Sequence, residues 1–147
     1  EAGALNRELL AEQVFADPAA RHRLEAITHP AIAHLAEQRL AELRERETGL
    51  VVYEAPLLFE ARAEGRVDRV LVVVADPDRQ LERLRQRDAV SEEAARQRIA
   101  SQWPQADKVQ KADYVIDNSG PLPRTRQQVA ALYSYLCRHG VPVVDNS

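Results

Sequence analysis

The sequence predicts an α/β fold with a mostly parallel sheet flanked by helices. Three observations carry that prediction. Short β-branched runs at residues 50–53, 70–74 and 114–116 are separated by long stretches with Leu, Val and Ile at helical spacing. The run Val70-Leu71-Val72-Val73-Val74 is apolar throughout, the pattern of a parallel strand covered on both faces. Helix-start signals at Asp17-Pro18, His29-Pro30, Asp76-Pro77 and Ser91-Glu92-Glu93 punctuate the rest.

Taken in order, Leu5, Leu9, Leu10 and Val14 recur at helical spacing, so the chain begins helical. Asp17-Pro18 opens a second helix to about Ile27. His29-Pro30 opens a third, with Ile32, Leu35, Leu40 and Leu43, which Gly49 stops. Residues 50–53 read as a buried strand ended by Pro56, and residues 70–74 as the clearest strand. Asp76-Pro77 caps a helix with Leu81 and Leu84. Ser91 opens another that ends near Trp103-Pro104. Tyr114-Val115-Ile116 is a third strand and Asn118-Ser119-Gly120 a turn. The last helix runs from about Arg124 to Arg138 and stops at Gly140, and residues 141–144 are a short strand or a tail.

The 147 residues suffice for one core-bearing domain, and no linker divides them. Aromatics are only 5%, so Leu, Val, Ile and Ala must build the core. No apolar run nears the roughly 20 residues of a membrane span, and residues 1–10 have no signal-peptide pattern. A single cysteine, Cys137, rules out an internal disulfide and fits a reducing compartment. The net charge of −3 argues against a general nucleic-acid binder. There is no methionine, and Glu1 is a poor residue to be left after initiator removal, so further sequence upstream is expected.

Chemistry concentrates in residues 79–111, where eight basic residues face five acidic ones in a chain that is acidic overall. Arg83 and Arg87, four apart, share a helix face from which two guanidinium groups could fork onto phosphate oxygens. A solvated face paired with Glu82 and Asp88 accounts for the same spacing. Glu54, Glu60 and Asp117 lie near expected strand ends, where parallel sheets place ligand crevices. They fit loop carboxylates equally. His29, at an expected helix start, could meet a phosphate or simply cap. No metal-ligand spacing, no nucleophile–base arrangement and no G-x-x-x-x-G-K-[ST] pattern is present.

These pieces together resemble the dephospho-coenzyme A kinase family. Gly3-Ala4-Leu5-Asn6-Arg7 with Val14-Phe15 is similar to its G-x-L-N-R…V-F stretch. Leu24-Glu25, Ile27, His29-Pro30 and Ile32 are similar to L-E-x-I-x-H-P-x-I, and Pro56-Leu57-Leu58-Phe59-Glu60 to P-L-L-F-E. Gln80, Arg83, Arg87 and Asp88 resemble the start of its lid, and Arg98-Ile99, Gln102, Pro104 and Lys108 its return helix. Residues 112–120 are similar to A-D-x-V-I-x-N-x-G.

The resemblance covers about Gly3 to Leu136. It implies a P-loop NTPase-like parallel sheet flanked by helices, with a helical substrate-binding region at 1–49, core sheet and helices at 50–78 and 112–147, and a helical lid at 79–111. It further implies a cytoplasmic enzyme that phosphorylates the ribose 3′-hydroxyl of dephospho-coenzyme A with ATP and Mg²⁺, without nucleic acid or membrane. Arg83 and Arg87 would close over ATP and Arg7 would approach from the acceptor side. Asn6, His29 and Pro30 would help bind dephospho-coenzyme A, Asn118 would lie near adenine, and Lys108 is a lesser lid candidate.

Two departures stand out. The family's first strand, its phosphate loop and an Asp-x-Asp are absent, so no catalytic base or metal ligand is assigned, and the 147 residues alone are expected to be inactive and to self-associate. Glu54 stands where the family often has aspartate, one methylene longer. A different nucleotide kinase, or a non-catalytic nucleotide-binding module, remains an alternative reading. Oligomeric state is not set by the sequence.

Overall fold

The computed structural model describes residues 5–46 and 49–141, apart from the side chain of Glu8. The chain divides into two compact units, residues 1–42 and 43–147. The first holds α1 (Arg7–Ala16) and most of α2 (Pro18–Glu45). Asn6 Oδ1 accepts the Leu9 N–H (3.1 Å), and Asp17 Oδ1 accepts the Ala19 N–H (2.8 Å), so each helix starts on a side chain that satisfies an otherwise orphaned donor.

Two helices were expected between Asp17 and Gly49, but α2 is continuous and Pro30 lies inside it. Proline there lacks the N–H that the Ala26 carbonyl would take, and its ring crowds that carbonyl. Seven residues with good helical propensity between Asp17 and His29 and the long run beyond it outweigh that loss. His29 is therefore mid-helix, away from the exposed N–H groups of a helix start that could bind an anion.

The second unit is an α/β structure. A two-stranded parallel sheet pairs β1 (Leu71–Val74) with β2 (Tyr114–Asp117), Val72 opposite Val115. Helices α3 (Pro77–Asp88), α4 (Glu92–Ala100) and α5 (Gln105–Gln110) form the crossover, and α6 (Leu122–His139) follows β2. Asp76 caps α3 by accepting the Asp78 and Arg79 N–H groups, and Ser91 caps α4 through Ala94, as their sequence signals predict. α5, in the stretch after Trp103-Pro104, is an element the periodicity does not announce. At the other end of the chain, α6 is stopped by Gly140 at φ 70°, a conformation suited to glycine.

Residues 50–53 do not form the expected strand. A β-branched run favours extended backbone, but a strand also needs a ladder partner, and the two-stranded sheet offers these residues none. Val52 is 81% exposed. Cover on both faces of residues 70–74 also fails. Val72 is buried (8% exposed) with Phe59 and Val70, backed by Val67, Val109 and Ala112, whereas Leu71 and Val73 on the opposite face are 45% and 55% exposed. On β2 the pattern inverts, with Ile116 buried and Val115 exposed. Residues 142–144 lie outside the described residues.

Candidate functional site

At the carboxyl ends of β1 and β2, several polar side chains reach backbone groups distant in sequence. Gln105 of α5 pairs with Ala75 in both directions, accepting its N–H at Oε1 (2.9 Å) and donating from Nε2 to its carbonyl (3.0 Å). Gln128 of α6 does the same to Asp117, accepting its N–H (3.0 Å) and donating to its carbonyl (2.7 Å). Each amide satisfies one strand-end peptide as a neighbouring strand would. Ser119 joins the two ends, its Oγ accepting the Asp76 N–H at 2.8 Å. Ser119 also bonds to Asp117 through its hydroxyl and backbone N–H, and these hold the Asp117 carboxyl below the usual carboxylate range.

Onto this platform α3 delivers Arg83. Its Nη1 donates to the Asn118 carbonyl at 2.8 Å. Asn118 also donates its N–H to the Val74 carbonyl at 2.8 Å and accepts from Thr125 Oγ1 at Oδ1 (2.9 Å). A guanidinium has five N–H donors, so one bond to a carbonyl leaves four to offer an anion.

Arg87, one turn on, behaves differently. It pairs side by side with Asp88 (2.7 and 3.1 Å), and Asp88 also takes Arg98 Nη1 (2.7 Å), tying α3 to α4. The Arg87 bond holds the Asp88 carboxyl low and pushes the Arg87 guanidinium up. Ala95, fully buried in α4, lets the two helices approach closely. A cleft of about 220 Å³ lined by Pro77, Gln80, Leu81, Arg96, Ile99 and Ala100 contains neither arginine.

Lys108 lies on α5 with its ammonium on Glu60 Oε1 (2.9 Å), both side chains well covered, and within 3.4 Å of the Pro56 carbonyl and Gln102 Oε1. Glu60 also accepts the Trp103 N–H (2.8 Å), while Trp103 stacks on Phe59. Burial pushes the Glu60 carboxyl up, but the bonds from Lys108 and Trp103 outweigh it, and the net shift is downward. Glu54 is exposed in the irregular segment before this turn.

In the first unit, Asn6 caps α1 and Arg7 begins it, both exposed. His29 is half-buried and Pro30 exposed on α2. Thus Arg83 and Asn118 are brought together, Lys108 and Glu54 lie elsewhere in the same unit, and Asn6 and Arg7 start a helix of the other. Sequence reasoning missed Gln105, Gln128, Ser119 and Thr125. Isolated polar residues in helices carry no periodic signal, and only the proximity of Ser119 and Thr125 to the Asn118 turn hinted at them.

The dephospho-CoA kinase family model matches residues 1–124. A dephospho-CoA kinase of Syntrophotalea carbinolica is 54% identical over 136 residues, spanning 92% of this chain and 64% of that protein. One from Geobacter metallireducens is 50% identical over 129 residues, spanning 88% and 64%. The chain thus spans just under two thirds of the length of these curated relatives. Among solved structures, a dephospho-CoA kinase from Campylobacter jejuni aligns with a TM-score of 0.64 at 30% identity, covering 94% of this chain and 68% of that one. A Thermus thermophilus crystal structure aligns with a TM-score of 0.72 at 34% identity, covering 92% and 70%.

Proposed function

This chain belongs to the dephospho-CoA kinase family, and from that premise we propose that it serves the ATP-dependent phosphorylation of the ribose 3′-hydroxyl of dephospho-coenzyme A, giving coenzyme A and ADP. The observation that carries the reading is the hydrogen bond from Arg83 to the Asn118 carbonyl, which seats a guanidinium at the carboxyl edge of β2. Parallel sheets take nucleotides at that edge. Phosphoryl transfer needs positioning and charge neutralisation more than covalent chemistry, and an arginine supplies both.

In this reading the sheet is P-loop NTPase-like and α3 and α4 form the lid. Arg83 neutralises charge on the transferring phosphoryl group. Arg87 joins it by exchanging Asp88 for phosphate as the lid closes. Asn118 receives the adenine. Lys108, through Glu60, holds the base of the lid and touches ATP only secondarily. Arg7, Asn6, His29 and Pro30 belong to the dephospho-coenzyme A side, with Glu54 as a further acceptor-side carboxylate.

ATP enters with Mg²⁺ as co-substrate. Among the described residues no group of three His, Cys, Asp or Glu could hold an ion, so no step is assigned to a metal held by these side chains. The 147 residues contain no G-x-x-x-x-G-K-[ST] pattern, and we expect turnover only where a phosphate-cradling segment is supplied. No described helix is long and apolar enough to cross a membrane, and a cytoplasmic enzyme fits the reading.

Acceptor specificity tests the proposal. Coupled ADP release is measured on the full-length gene product with dephospho-coenzyme A or with nucleoside monophosphates. Turnover is expected with dephospho-coenzyme A alone, and the product should carry its new phosphate on the ribose 3′-oxygen. Turnover confined to nucleoside monophosphates would assign a different kinase. Nucleotide binding without turnover on any acceptor would assign a binding module.

A further inference from the structure

We propose that Glu60 is a positioning residue for phosphoryl transfer: it clasps the return of the α3–α4 hairpin to the core and so sets the pivot on which that hairpin carries Arg83 toward the donor's phosphates. The proposal deepens, and rests on, the reading of α3 and α4 as the lid.

The hairpin leaves the core at Ala75-Asp76 and returns through residues 101–104. Its first root is held through several peptide groups. Gln105 bonds both backbone groups of Ala75, and the Asp76 N–H reaches Ser119 Oγ. The second root has fewer donors. The Ser101 and Gln102 N–H groups still bond back into α4, to the Gln97 and Ile99 carbonyls, and Pro104 has no N–H. Of residues 101–104, Trp103 therefore carries the one backbone N–H that can hold the core, and it goes to Glu60 Oε1 at 2.8 Å.

Two further contacts close the clasp. Lys108 of α5 puts its ammonium on the same Glu60 oxygen at 2.9 Å, with the two side chains only 13% and 16% exposed, so solvent screens the pair little. The Trp103 ring stacks on Phe59, 5.9 Å between centroids, so adjacent residues of one turn hold its ring and its backbone. Pro104 disfavours helical backbone at Trp103, which fixes the break between α4 and α5 at this point. Beyond the roots, Asp88–Arg98 (2.7 Å) and Arg85–Glu92 (3.5 Å) tie α3 to α4 around the buried Ala95. A body held at two roots swings about the line that joins them. Freeing one root multiplies the open arrangements, lowers the fraction poised to close, and weakens the apparent affinity for the donor. Glu60 acts through Trp103 and Lys108, without touching either substrate.

The test uses Glu60→Ala in the full-length protein, at a temperature where its melting curve shows it folded. Hydrogen exchange of the Trp103 amide reads the clasp. Calorimetric ATP binding and the dephospho-coenzyme A KM read its consequence. Exchange at Trp103 is expected to quicken and the ATP Kd to rise about ten-fold, the worth of one charge-assisted bond, while the dephospho-coenzyme A KM holds. Glu60→Gln keeps the size and an acceptor for the Trp103 N–H. It should shift both readouts by about three-fold, and it serves where the truncation does not fold. Unchanged exchange at Trp103 would overturn the proposal. So would faster exchange with an unchanged ATP Kd, the mark of a bond that only stabilises, or an equal rise in ATP Kd and dephospho-coenzyme A KM. Arg83→Ala separates the two levels. If it slows transfer while Glu60→Ala leaves ATP binding alone, only the role of Glu60 falls. If Arg83→Ala transfers at the wild-type rate, the lid reading falls and the proposal with it.

Discussion

At the ends of β1 and β2, side chains bond to backbone far away in sequence. Gln105 reaches Ala75 across 30 residues, Arg83 reaches Asn118 across 35, and Ser119 reaches Asp76 across 43. In α1 and α2 the bonds of Asp17 and Thr28 close within four residues, and the Arg21–Glu25 pair spans one helical turn. A side chain bonded across 30 residues occupies a position that the tertiary fold specifies. One bonded within its own turn specifies the helix and little else. The proposed ATP side is therefore built into the fold before any ligand arrives, whereas the proposed acceptor side is a helical surface with Ile27, Ile32 and Leu35 exposed along α2.

The largest break in that comparison comes from the floor of the strand ends. Phe59 is 4% exposed and packs on Val70 and Val72. Phe59→Ala should cost about 3–5 kcal/mol in urea unfolding, because the cavity adds to the lost burial. A loss below about 1 kcal/mol would mean that this cluster does not hold the strand ends. Pro30 probes the other side. Pro30→Ala returns an N–H to the Ala26 carbonyl and should stabilise the protein by up to about 3 kcal/mol, while raising the dephospho-coenzyme A KM and sparing the ATP KM. A shift in ATP KM instead would erase the division between the two sides.

Glu60 sharpens it through pH. Its carboxyl ionises more readily when folded, so its stabilising contribution is complete above its ordinary pKa of 4.5 and is lost as pH falls through the lower, folded value. The wild-type melting temperature should drop more steeply than that of Glu60→Gln from about pH 5 downward. Parallel curves would remove Glu60 from the acid limb. The smallest effect is expected at Arg87, whose side chain is exposed. Arg87→Gln, which leaves the Asp88–Arg98 bond in place, should lower the melting temperature only slightly, and less still in high salt.

Much of this fold is legible in the chain because local chemistry agrees with tertiary outcome. Asp76 and Ser91 cap where their residue types say they should, and Val72 and Ile116 are buried as apolar strand residues should be. Legibility fails where a partner decides. Residues 50–53 have strand composition, but a ladder needs two strands. Pro30 reads as a helix start, but flanking helix formers carry α2 through it. The site divides the same way. Arg83 is visible as one of two arginines on a shared face, but its difference from Arg87 depends on which acceptor each finds, a backbone carbonyl for one and a neighbouring aspartate for the other. Gln105 and Gln128 take their meaning from peptides at the strand ends, and Thr125 from the Asn118 side chain, none of which the sequence places beside them.

The central claim is that Arg83, seated at the end of β2, carries charge neutralisation in phosphoryl transfer. Single-turnover transfer from ATP to dephospho-coenzyme A tests it most directly, with Arg83→Ala in the full-length protein and ATP affinity measured alongside. A transfer step slower by on the order of 10³-fold, with a much smaller change in ATP Kd, is the expected result. Transfer at the wild-type rate would contradict it.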